Sequence, residues 1–356
     1  MKKLLITILC FLPLFALVVG VNAVVDPANV LRADRTVDAI IAAMDDGRNA
    51  DGVTDFADRL LMARYIPRMD SAPDTVVLGS SRGAQIDTAI VGGKLFNSCV
   101  SGATIEDVAA IYEIYHQNGL HPKRYILSVD VWFFDRNKTD ERWQLYTAEY
   151  YDAFYREFID SAYDGDSSVA NTSYLEIFRA GYFQDSVKAI ASGSYAAGRM
   201  GVVATDKGYT ARGMLKADGS YVYPKAYTEA DAETVRTRVG FAYDSVVGAL
   251  ETSGGMDPGK TALFEALVGA MQADGADVVI VLSPYHPLMY EKIEASPEAA
   301  ANLAQIETYL DAFCAQRGLT CIGSYNPHTL EFSEISFLDA LHLNYSYTAK
   351  LLRDYF

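Results

Sequence analysis

The chain has 356 residues, 50% of them apolar and 12% aromatic, and carries a formal net charge of −16. That length suits one large α/β domain with insertions better than two equal domains, and so much apolar material excludes a disordered chain. The acidic balance argues against a nucleic-acid partner, because a phosphate backbone is gripped by Lys and Arg, and it gives no general attraction to anionic membrane surfaces.

Lys2 and Lys3 precede an apolar run from Leu4 to about Val21, with no charged residue before Asp26. About twenty apolar residues cross a hydrocarbon core of roughly 30 Å, whereas the apolar part of a secretory signal is only ~7–15 residues long. The positive flank keeps the start inside and sends the remainder outside. The expectation is an N-terminal transmembrane helix, with the domain on the periplasmic or extracellular side of the cytoplasmic membrane. Cleavage at Val21-Asn22-Ala23 is the alternative and makes the chain secreted. Export holds in both cases.

Residues 26–73 read as a connecting region with helical turns, including Asp55–Met69. Asp74-Thr-Val-Val-Leu-Gly79 follows, a β-branched run ended by glycine and the signature of a buried strand entering a tight loop. Leu95-Phe96-Asn97 is a weaker strand. From Thr104 to Gln117 the apolar residues recur at helical spacing, with Thr104 as the N-cap. Tyr125–Val129 and Asp277–Leu282 are further strands, the second nearly all β-branched and so buried on both faces. Ala299–Arg317 reads as a helix and Leu319–Ile322 as a last strand. Strands alternating with helices of this length imply a three-layer α/β/α fold with a mostly parallel sheet.

The stretch from Trp132 to about Asp257 breaks that rhythm and holds 13 of the 24 tyrosines. It reads as an insertion, with Met214–Tyr223 as a β-hairpin turning at Asp218-Gly219. A Tyr-rich lid or side wall suits contact with carbohydrate or another polymer; packing of a helical cap on the core explains it equally. Cys314 and Cys321 flank a helix end and a strand start, which leaves both a disulfide in an oxidising compartment and two free thiols open. No Cys-x-x-Cys pair or His/Cys cluster marks a structural zinc site.

Chemistry concentrates at two places. Gly79-Ser80-Ser81-Arg82 closes a strand, which puts the Ser81 hydroxyl at the carboxyl edge of a parallel sheet, where such proteins bind ligands. A helix starting there would bring amide groups to bear on developing negative charge. Near the end, Asp339-Ala-Leu-His342 sets a carboxylate three residues before an imidazole. A neutral imidazole takes a proton from a serine hydroxyl when a carboxylate orients its other nitrogen.

In order and spacing these elements resemble the SGNH/GDSL esterases and acyltransferases. Gly79-Ser80-Ser81-Arg82 stands where that superfamily has Gly-Asp-Ser-Leu, which implies Ser81 as the nucleophile. Asn97-Ser-Cys-Val-Ser-Gly102 resembles the second block, implying that the Gly102 amide joins that of Ser81 at the oxyanion. Asp339-Ala-Leu-His342 resembles the fifth block, and the variant is most similar to the membrane-anchored SGNH-like proteins of cell-surface polysaccharide acetylation and teichoic-acid D-alanylation. The likeness covers about residues 74–135 and 277–356.

One block departs from the pattern. Where typical members have Gly-x-Asn-Asp, this chain has Ser128-Val129-Asp130, and an ionised Asp130 would repel an oxyanion. Either Asp130 pairs with Arg82, leaving backbone amides as donors, or the protein binds its ligand without turning it over. Arg82, Asn97, Asp130 and His286 are candidates for substrate contact; His116, His121 and His328 read as surface or loop residues. The resemblance implies a serine-dependent O-acyl esterase or acyltransferase on an acylated carbohydrate or envelope polymer, with no metal or organic cofactor. The alternative is a non-catalytic glycan-binding or scaffold protein of the envelope.

Overall fold

The computed structural model describes residues 2–27, 31, 33–138, 140–165, 173–191 and 201–356; the side chains of residues 2–10, 173, 174 and 176 lie outside that description. Its strands, in chain order, are β1 (Asn49–Asp51), β2 (Thr75–Gly79), β3 (Leu95–Asn97), β4 (Arg124–Ser128), β5 (Val203–Thr205), β6 (Met214–Leu215), β7 (Tyr221–Val222), β8 (Asp277–Leu282) and β9 (Thr320–Gly323). The longer helices are α1 (Lys2–Val25), α2 (Ala33–Asp45), α3 (Asp58–Tyr65), α4 (Ile105–Gln117), α5 (Ala148–Phe158), α6 (Ala180–Ala191), α7 (Ala232–Glu251), α8 (Pro258–Ala273), α9 (Pro287–Glu294), α10 (Pro297–Arg317) and α11 (Tyr345–Leu352).

Five strands form one parallel sheet in the order β3-β2-β4-β8-β9. Counted within that sheet alone the order is 2-1-3-4-5, the doubly wound arrangement whose ligand crevice opens where the strand order reverses. Here the reversal falls between β2 and β4. Both faces of the sheet are buried, which is why these strands read as unbroken apolar runs. Val76, Leu78, Leu127 and Ile280 face a large core shared with α4, α8 and α10, while Val77, Ile126, Val279 and Val281 face a smaller one closed by Leu351 and Leu352 of α11. The helix expected at Thr104 begins there with a capping box between Thr104 and Asp107.

Three expectations are corrected. The region 26–73 does more than connect. It supplies α2, α3 and β1, and β1 joins β5, β6 and β7 in a second, antiparallel sheet of order β5-β1-β6-β7. No helix starts at Ser81: residues 80–87 are turns, and the next helix, Thr88–Val91, has only 4 residues. A helix dipole is therefore not a resource for charge at Ser81.

The third correction concerns the N-terminus. Among the described residues no helix is long and apolar enough to cross a membrane, so the expected spanning anchor is not supported. Polar contacts tie the end of α1 to later residues. Asn22 is fully buried, its amide donating to the Ile177 carbonyl at 2.7 Å and its oxygen accepting from Ser186 at 3.0 Å. Tyr182 donates to Asp26 at 2.7 Å, and Phe15 stacks on Phe178.

The Tyr-rich stretch is not one lid. Its first part, through α5, packs on α4; α6 lies along α1; the Met214–Tyr223 hairpin, turning at Asp218-Gly219 as expected, enters the second sheet; and α7 packs on α10. Cys314 and Cys321 are both free thiols, hydrogen-bonded to each other.

Candidate active site

Gly79, the last residue of β2, pairs with Ser128 of β4 at φ 141°, and a Cβ there would run into the Ser128 carbonyl. Only glycine allows this close approach. Tight turns follow at once: Gly83 N–H donates to Ser80 O at 3.0 Å and Ala84 N–H to Ser81 O at 3.2 Å. Ser80 is fully buried and its Oγ accepts from the Arg82 amide at 3.2 Å. Ser81 is left half-buried at the mouth of the sheet's carboxyl edge.

The second component comes from a closed turn before α11. Phe337 bridges Leu343 and the Leu338 amide donates to His342 O at 2.8 Å, which folds Asp339 and His342 to the same side. Asp339 Oδ1 accepts from the amides of Leu341 (2.8 Å) and His342 (2.9 Å), so the carboxylate is fixed by backbone before it meets the ring. His342 Nδ1 lies 2.9 Å from each Asp339 oxygen, and Nε2 lies 2.9 Å from Ser81 Oγ. Burial pushes the Asp339 carboxyl up, but the His342 charge and the hydrogen bonds from His342 and the Leu341 amide win and hold it at about 2. An ionised Asp339 keeps the imidazole proton on Nδ1, and Nε2 is then the acceptor that faces the hydroxyl.

These groups open into a cavity of about 410 Å³ lined by Thr54–Phe56 from the loop after β1, by Asp58 at the start of α3, by Cys99 and Ser101, and by Tyr221, Tyr223 and Tyr227. Tyr223 was not foreseen. Its ring sits 5.4 Å from that of His342, and its hydroxyl donates weakly to Ser81 O at 3.4 Å. It reaches the site because the hairpin docks on the loop that carries Ser81 and on β3: Tyr221 N–H donates to Ala84 O at 2.7 Å and Asn97 N–H to Asp218 O at 2.8 Å. The Asp-Gly turn signals the hairpin; nothing local says where it docks. Asp55 and Asp58 were also missed, and burial followed by Asp58 pushes the Asp55 carboxyl up.

The four candidates for substrate contact are internal braces. Arg82 is buried, with Nη1 on Asp130 Oδ1 at 3.0 Å, Nε on Leu341 O at 3.2 Å, and Nη2 on the carbonyls of Ser283 and Pro284. Its guanidinium lies over the Tyr285 ring. Asp130 is fully buried; burial raises its carboxyl while Arg82 opposes that. Asn97 spends its amide on Gly83 O and Ile86 O, both at 2.9 Å, and its oxygen on the Cys99 amide. His286 is fully buried; its Nδ1 accepts from the Leu288 amide at 3.2 Å, and burial holds it down at about 4. Gly102 lines a neighbouring cavity of about 260 Å³ with Trp132 and Leu341, rather than the one at Ser81. The Ser101 amide is occupied by Asp58 Oδ2.

Compared with known proteins, the chain matches no family model and no curated protein.

Proposed function

We propose that this chain is an exported, serine-dependent O-acyl esterase or acyltransferase of the SGNH type, acting on an acylated carbohydrate or envelope polymer. One observation carries the reading: the unbroken Ser81–His342–Asp339 contact, 2.9 Å at both links, at the mouth of a cavity. Ser81 Oγ attacks the acyl carbonyl as His342 Nε2 takes its proton. The tetrahedral intermediate collapses with the C–O bond to the leaving alcohol breaking, and His342 returns the proton to that alcohol. Water or a sugar hydroxyl then gives its proton to His342 and takes the acyl group, and the Ser81 oxygen leaves with that proton returned by His342, restoring the free hydroxyl. The Ser81 amide is the proposed oxyanion donor. Resemblance of three motifs to SGNH blocks supports the family, and Lys2-Lys3 with the following apolar run supports export.

The test is hydrolysis of a generic acetyl ester by the full chain and by Ser81→Ala, alongside labelling by a serine-reactive phosphonate. Turnover and labelling that both vanish in Ser81→Ala establish the nucleophile. Neither turnover nor labelling in the parent chain would overturn the proposal. The scaffold alternative was favoured by Asp130, and the Arg82 pairing now accounts for that residue without loss of the Ser81–His342 contact.

A further inference from the structure

We propose that His116, His121 and Asp274 form a binding site for one divalent transition-metal ion of the zinc class, remote from Ser81 and structural in role. His116 lies in the last turn of α4; the chain reverses through Gly119 at φ 64°, and His121 folds back so that the two rings sit 5.9 Å apart and nearly perpendicular. Asp274 caps the end of α8. Three ligand atoms, one from each residue, all lie within 4.8 Å of one another.

His116 Nδ1 makes a long hydrogen bond to Asp274 Oδ2, and the spacing also suits coordination. Both Nδ1 atoms stand 3.3 Å from the same oxygen, Asp274 Oδ2. Charge-assisted N–H···O bonds close to about 2.7–2.9 Å, whereas two ligands each ~2.1 Å from a tetrahedral ion are about 3.4 Å apart. Supporting groups are also present. Tyr112 donates to Asp274 Oδ2 at 2.8 Å, which fixes the carboxylate and leaves that oxygen a second lone pair. Glu157 Oε1 is 3.4 Å from His116 Nε2, near enough to close on the far side of the imidazole once the ion binds. The side chain of His121 is 47% exposed, so an ion has a way in and a water a place as fourth ligand.

Two imidazoles and one carboxylate suit zinc, cobalt or nickel, not the all-oxygen cages of calcium and magnesium. The carbonyl ends of α4 and α8 meet here and add negative field. Both helices lead into the starts of β4 and β8, the edge of the sheet opposite Ser81. A bound ion would tie the ends of α4, α8 and, through Glu157, α5.

The experiment uses the full chain stripped of metal by chelator. Zinc affinity is measured by competition with a chromophoric chelator, and cobalt is added as a spectroscopic probe. The expected result is one zinc per chain, tetrahedral cobalt absorption bands, and a loss of zinc affinity of ~100-fold or more in His121→Gln. Asp274→Asn should lose the cobalt bands as well. The absence of saturable zinc binding, or binding indifferent to both substitutions because it sits at His286, His328 or His342, would overturn the proposal.

Discussion

Arg82→Met should destabilise the fold more than any other single change near the site, because one guanidinium holds three loops. Its donors reach Asp130 at the end of β4, the Ser283 and Pro284 carbonyls after β8, and the Leu341 carbonyl beside His342. The Arg82 and Asp130 side chains are each 1% exposed. Methionine fills the stem but leaves the Asp130 charge buried without its partner, an error that costs ~3–5 kcal/mol. Total stabilities are only ~5–15 kcal/mol, so urea midpoints should fall by on the order of 1 M. The sign with pH is definite. Without Arg82 the folded-state pKa of Asp130 rises further above its unfolded value, so the variant loses stability as pH climbs above the unfolded value and the gap to the parent chain widens with rising pH. Arg82→Met/Asp130→Leu removes the stranded charge and should recover ~2 kcal/mol or more relative to Arg82→Met. A cost below ~1 kcal/mol for Arg82→Met, or a double variant whose cost equals the sum of the singles, would refute the reasoning. Because Nε holds the residue before His342, kcat for ester hydrolysis should fall with little change in KM. That pattern marks Arg82 as a positioning residue.

Acid should weaken the site through Asp339, whose folded value of about 2 lies below the ordinary 3.8. Its contribution of about 2 kcal/mol is present above pH ~4 and lost as pH falls toward 2; urea melts of the parent chain and Asp339→Asn at pH 5 and 2.5 should converge. His286 acts in a higher window. Held at about 4 against an ordinary 6.5, it stabilises the fold fully above pH 6.5 and loses that stabilisation as pH drops to 4. The loss is about 3 kcal/mol. His286→Asn keeps an acceptor for the Leu288 amide and should abolish that slope in the same melts; an unchanged slope would assign it elsewhere. Tyr223→Phe gives up a 3.4 Å hydrogen bond but keeps the ring against His342. Its esterase activity should stay within ~3-fold of the parent, whereas Tyr223→Ala, which unpacks His342, should lose ~10-fold or more.

What was legible in the sequence is what is local. β2 and β8 are continuous apolar runs because the sheet is covered on both faces, and the Asp339–His342 pair is a single turn. Asp218-Gly219 announces its hairpin because Gly219 adopts φ 78°. What escaped is what distant segments decide. β1 is three residues long and exists only through pairing with β5 and β6, more than 150 positions away, so the wall of the cavity at Thr54–Asp58 had no signal of its own. The end of α1 gave no sign of its contact with Ile177, 155 residues on from Asn22. His116 and His121 looked like loose surface residues because Asp274, which gathers them, lies beyond a whole crossover.

Asp130 teaches the sharpest version of this. Read along the chain, it is the one departure from the SGNH-like pattern, and pairing with Arg82 is one of two accounts of it. In the fold they are one feature, a fully enclosed pair at 3.0 Å linking the ends of β2 and β4. A lone acid at 130 would load the site with uncompensated charge, and a lone base at 82 would strand a buried guanidinium. Each makes the other tolerable. In the proposed reaction that brace stands where a side-chain donor would, ties the loop of Ser81 to that of His342, and leaves the Ser81 amide for the oxyanion.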